Sequence, residues 1–113
     1  FMSEGIEKLI NDWRANVAAY AKSKAEHDYL DHFRKSKIAL LMNEALSTGI
    51  EAANAQDRYA RSHPEYIELL EGLRASTEQS EDLRYRMKIA EARVEVWRTK
   101  QANNRREQKQ YGA

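Results

Sequence analysis

From Ser3 to Ser47 the chain holds no Pro and one Gly, and its apolar residues recur every three or four positions, the period of one helical face. Ile6, Ile10, Trp13, Val17 and Tyr20 form a first stripe, which Leu30, Phe33, Ile38 and Leu41 resume. The positions that would join them, Lys24, His27 and Asp31, are polar, so the apolar face is expected to slip by about a quarter turn in mid-helix. Ser3 is placed to cap the start, with Glu4 and Glu7 in the first turns. Ser47, Thr48 and Gly49 form the stop, because glycine accepts the left-handed conformation that closes a helix. A second long helix is expected from Pro64, where a missing N–H forfeits no hydrogen bond. Along it Tyr66, Leu69, Leu73, Ser76, Ser80, Leu83, Met87, Ala90, Val94 and Trp97 alternate threes and fours without a break, as in a coiled coil. The expected boundaries are a long helix over 3–47, a short helix over 50–61, a long helix over 64–104 and a polar tail over 105–113, within a single helical domain over 1–113.

Folding the chain back at the connection, with Ser47 opposite Pro64, brings the apolar layers into coincidence. Val17 then faces Val94, Trp13 faces Trp97, Ile38 faces Leu73 and Leu41 faces Leu70. Charges follow the same register: Arg34, Lys35 and Lys37 oppose the stretch with Glu71, Glu78, Glu81 and Asp82, while Glu4, Glu7 and Asp12 oppose Lys100, Arg105 and Arg106. The expected fold is therefore all-α, a long antiparallel helical hairpin of coiled-coil type with a short connecting helix. One seam does not cover Tyr20, Leu30, Phe33 and Leu40, so these four are assigned to self-association, with two hairpins forming a four-helix bundle as a homodimer.

Composition narrows the function. The chain has 113 residues, enough for one core, with 42% hydrophobic and 33% charged residues and no Cys, which excludes disulfide scaffolds, thiolate nucleophiles and Cys-ligated zinc. With no Cys, no leader-like start and no long apolar run, the expected location is cytoplasmic, without membrane contact. The net charge is +1, so any contact with nucleic acid must come from local clusters.

Two such clusters exist. Arg34, Lys35 and Lys37 form the first; in the second, Arg98, Lys100, Arg105, Arg106 and Lys109 stand against Glu107 alone, interleaved with Asn and Gln. Basic, amide-rich segments bind phosphates, so Arg34, Lys35, Lys37, Arg98, Lys100, Arg105 and Arg106 are the candidate nucleic-acid contacts. His27, Asp28, Asp31 and His32 contain two His/Asp pairs at i,i+4 spacing, a metal-ligand type of cluster. The sequence has no second Glu-x-x-His, and the expected register sets Arg84 opposite His27, so a polar layer or solvated face is expected there and no metal site is assigned. His63 is expected to cap the second long helix or pack on Tyr66. No nucleophile elbow or phosphate-cradling glycine loop is present, so no catalytic residue and no cofactor are assigned.

Phe33-Arg34-Lys35-Ser36-Lys37, His63-Pro64-Glu65-Tyr66, Leu70-Glu71-Gly72-Leu73 and Glu95-Val96-Trp97-Arg98 resemble segments of small uncharacterised helical proteins encoded by bacteriophages and prophages. The resemblance implies a phage origin, beside genes for DNA replication and recombination, and carries over no catalytic residue. The expected function is that of a non-enzymatic helical protein that binds a host or phage protein as a homodimer. The alternative is an accessory factor that contacts DNA or RNA through the basic C-terminal segment.

Overall fold

The computed structural model describes residues 2–112, with side chains over 5–110. Among them the only regular structure is helical: α1 (Met2–Ser47), α2 (Ala53–Ser62), α3 (Pro64–Glu107) and a closing π-helical turn, Gln108–Gly112. The capping role expected of Ser3 lies outside the described side chains.

The stop of α1 forms as its residue types require. Gly49 sits at φ +99°, its N–H donates to the Leu46 carbonyl at 3.1 Å, and the Ile50 N–H donates to the Ala45 carbonyl at 3.1 Å. These are the paired bonds of a Schellman cap, which satisfy carbonyls the helix leaves open. A Cβ added at Gly49 meets nothing within 4 Å, so the penalty for Gly49→Ala is that of the backbone conformation alone. It is expected to lower stability by about 1 kcal/mol, read as a lower urea midpoint with an unchanged slope.

The connection then runs extended through Ala52 before α2 begins, which sets the start of α2 three residues later than expected. Gln56 fastens this lead-in by donating to the Ile50 carbonyl at 2.9 Å. His63 ends α2 in an extended conformation (φ −68°, ψ 136°), the geometry that the following Pro64 imposes. Its Nδ1 accepts the Glu65 N–H at 3.1 Å, so the imidazole is the N-cap of α3. The ring lies edge-on to Tyr59, with centroids 5.7 Å apart.

The long helices divide between two compact units, one made of Lys22–Ser80 and the other of the residues before 22 and after 80. In the first, Leu41, Ala60 and Tyr66 form a buried cluster from all three helices, against which Ile38, Met42 and Leu69 pack. Further along, Ser23 and Ser80 are buried and their hydroxyls hydrogen-bond at 3.0 Å. In the second unit the buried apolar residues are Ala90 and Val94, with Ile6, Ile10, Trp13, Leu83, Met87 and Trp97 half-buried.

The seam of α3 follows the residues its period marks, from Tyr66 to Trp97, each buried or half-buried. The register does not follow the expected one. Ser23 meets Ser80 where Lys88 was expected, and Lys37 meets Glu65 at 2.9 Å where Arg74 was expected, a slide of about eight or nine residues, rather more than two helical turns. In the other unit Asp12 and Asn16 line one groove with Arg86, Ala90 and Arg93, so Trp13 lies level with Ala90 and not with Trp97. The cause is α2: the last turns of α1, with Leu41 and Ala45 fully buried, are covered by α2 through Ala60, and α3 starts beside an earlier part of α1.

Three further expectations are corrected. The packed face of α1 does not slip: Ser23, His27, Leu30, Arg34, Ile38 and Leu41 continue it at spacings of three and four, all buried or half-buried. The phase is kept while the occupants change from apolar to polar. Val17 leaves the seam and is exposed, and Asn16 is half-buried in its place. The tail expected over 105–113 is helical through Glu107 and continues into the π-helical turn.

Candidate functional site

The middle of the first unit is its most polar packed region. Arg34 is half-buried, its Nε has no hydrogen-bond partner, and its guanidinium reaches Asp31 at 3.6 Å. Lys37 donates to Glu65 at 2.9 Å, and this bond, with the attraction of the ammonium, holds the Glu65 carboxyl below its ordinary value. Lys35 is exposed. Two of the three cations in this candidate nucleic-acid cluster are thus engaged by carboxylates.

The His/Asp cluster divides in the same way. His27 Nδ1 lies 3.2 Å from its neighbour Asp28, Lys24 donates to Asp28 at 3.1 Å, and Asp31 faces Arg34. The hydrogen bond from His27 and then that from Lys24 lower the Asp28 carboxyl from its ordinary value of 3.8. Among the described residues no group of three or more His, Asp or Glu is placed to hold a metal ion. His27 occupies a seam position, half-buried, which matches a polar layer.

Apart from Lys37 with Glu65, the charge pairing expected between the long helices is replaced by pairing within them. Glu71 and Glu78 engage Arg74, Glu81 engages Arg84, Asp82 engages Arg86 and Glu95 engages Arg98. All sit three or four residues apart on one helix, where partners are already neighbours and little side-chain freedom is lost. The acids of α3 therefore do not answer Arg34 and Lys35 of α1.

At the C-terminal end of α3 the outcome differs. Arg98 reaches Glu95 at 3.4 Å, while Lys100, Arg105, Arg106 and Lys109 are exposed and make no ion pair among the described residues. This basic end lies in the second unit and Arg34, Lys35 and Lys37 lie in the first.

Of the residues assigned to self-association, Tyr20, Leu30 and Phe33 are half-buried and Leu40 is 57% exposed. Leu30 and Phe33 share a groove with Leu69 and Gly72 of α3, so part of their surface is spent inside the chain. Phe33 also stacks on Tyr29, with ring centroids 6.1 Å apart and planes 9° from parallel. Tyr29 is 68% exposed. Sequence reasoning missed Tyr29 and, more consequentially, a second stripe on α3: Tyr85, Ile89 and Val96 are each more than half exposed, and Ala92 lies between them on the same side. The signal was their 4-3-4 spacing, which runs beside that of the seam and is hidden when each helix is given one apolar face.

No helix among the described residues is long and apolar enough to cross a membrane. In comparisons with known proteins no family model matches the chain, and neither a curated protein nor a solved structure does.

Proposed function

We propose that this chain is a non-enzymatic helical protein that acts by binding other proteins, first of all a second copy of itself. The observation that supports this is the distribution of apolar surface. Among the described residues the buried apolar side chains are Leu41, Ala45, Ala60, Tyr66, Ala90 and Val94, while Tyr29, Leu40, Leu46, Ile67, Tyr85, Ile89 and Val96 are each more than half exposed. Single exposed apolar residues are ordinary, but aligned ones on a helix mark a contact face. Packing between the helices leaves these stripes in water, where a partner's apolar face would remove them. The resemblance to phage and prophage proteins directs the search for further partners to phage and host proteins. Sedimentation equilibrium at micromolar concentration is expected to give twice the chain mass of 13.2 kDa. A monomer at 100 μM that unfolds cooperatively overturns the proposal.

A second reading has one observation in its favour, the exposed cations Lys100, Arg105, Arg106 and Lys109 without ion-pair partners among the described residues. Such cations are free to displace counterions from a phosphate backbone. If the C-terminal segment contacts DNA or RNA, Arg105→Ala with Arg106→Ala weakens a low-salt gel shift and flattens its salt dependence by about two counterions. Absence of a shift at 50 mM salt removes this reading.

A further inference from the structure

We infer that the second copy docks on the α3 face formed by Tyr85, Ile89, Ala92 and Val96, with the two α3 helices antiparallel about a two-fold axis between Ile89 and Ala92; this rests on the self-association proposed above and names its surface.

The face is available. Tyr85, Ile89 and Val96 are 56%, 54% and 54% exposed, whereas the seam residues of the same stretch, Leu83, Met87, Ala90, Val94 and Trp97, are buried or half-buried on another side of the helix. It is also self-complementary, which a two-fold contact requires. An antiparallel copy sets Tyr85 level with Val96 and Ile89 level with Ala92, so that on both sides of the axis a larger side chain meets a smaller one. The small Ala92 beside the axis lets the backbones approach. An open groove of about 420 Å³ runs along this face, walled by Leu9, Ile89, Ala92, Arg93, Val96 and Trp97 with Lys100 at its rim. Tyr85 of the second copy, level with Val96, is the side chain positioned to fill it.

The charges choose the direction. Glu81 and Asp82 stand at the N-terminal end of the stripe and Lys100 at its C-terminal end. An antiparallel copy brings Asp82 within one residue of Lys100 at both ends of the contact, while a parallel copy brings Asp82 to Asp82 and Lys100 to Lys100. Asp82 already accepts from Arg86 at 2.8 Å, and Lys100 has no ion-pair partner among the described residues, so the new pair engages a cation that the chain leaves in water. Like charges brought together at both ends oppose the parallel form.

The test uses the full chain. Ile89→Asp is expected to raise the dimer dissociation constant about a hundredfold, since each dimer carries the change twice; its side chain is exposed in the monomer, and an unchanged far-UV circular dichroism spectrum shows the helices intact. Asp82→Lys and Lys100→Asp are each expected to weaken association, and the two combined in one chain to restore it. With no native Cys, a spin label on Thr99→Cys reports direction: about 25 Å between labels in the antiparallel dimer against about 10 Å in a parallel one. A dimer that survives Ile89→Asp and is dissociated by Leu40→Asp overturns this face while leaving self-association standing. A wild-type chain that stays monomeric overturns both. A label distance near 10 Å overturns the two-fold arrangement.

Discussion

Tyr66→Ala is expected to lower stability by about 3–4 kcal/mol, the range for deleting a large buried aromatic side chain. Tyr66 is 3% exposed and packs with Leu41 of α1 and Ala60 of α2, so it is where the three helices of its unit meet. Removing the ring forfeits its transfer free energy and leaves a void that Ala60 and Leu41, both fully buried, are too constrained to fill. Because the first unit has few other large buried side chains, the loss is a large fraction of the 5–15 kcal/mol that small domains possess. Chemical denaturation with two probes checks it: Tyr66→Ala shifts the midpoint strongly. Tyr66→Phe keeps the ring and is expected to stay within about 0.5 kcal/mol. Equal effects of the two substitutions would show that the ring is not the anchor.

The second large effect concerns the buried serine pair. Ser23→Ala or Ser80→Ala alone is expected to destabilise by about 1–2 kcal/mol, and both together to return close to the wild type. In either single variant one hydroxyl stays buried in the seam without its 3.0 Å partner, and an unpaired buried polar group loses its hydration for nothing. In the double variant no hydroxyl remains to be desolvated. The resulting coupling of about 1–2 kcal/mol is measured by a double-mutant cycle in urea. Additive effects would mean that each hydroxyl bonds its own helix backbone instead. This pair also bears on specificity: two buried hydroxyls that bond each other penalise every register in which either faces leucine or methionine.

That penalty explains why the helices were legible in the sequence and their alignment was not. Gly49, Pro64 and His63 act through bonds to residues a few positions away, so their consequences can be read locally. The seam of α3 could be read too, because its threes and fours run unbroken from Tyr66 to Trp97, whereas the second stripe spans only Tyr85 to Val96. Register is different in kind. Sliding one helix by a heptad against another returns apolar positions to apolar positions, so layer matching accepts several alignments almost equally. The apparent agreement of charges in the expected register had no force, because Arg74, Arg84 and Arg86 pair with acids on their own helix.

The candidate interaction faces were only partly legible for a related reason. Leu30 and Phe33 were assigned to a second copy because one seam was expected not to cover them, yet the packed face runs through Ser23, His27 and Arg34 and takes Leu30 with it. Polarity had been used as a proxy for exposure, and in a seam with polar layers the two separate. Tyr85, Ile89, Ala92 and Val96 were passed over because the pattern beside them had already been given the role of the core.

By itself, then, the sequence determined the all-helical fold, the chain reversal, the stop at Gly49, the cap at His63 and the residues of α3 that turn inward, all of them properties of local bonding and of a single period. Tertiary structure alone decided the alignment of the long helices, the burial of a serine pair and an arginine in the seam, and which apolar residues stay in water. Those outcomes depend on the volume of α2 against the end of α1 and on the desolvation of particular polar atoms, quantities that exist only once the helices are side by side.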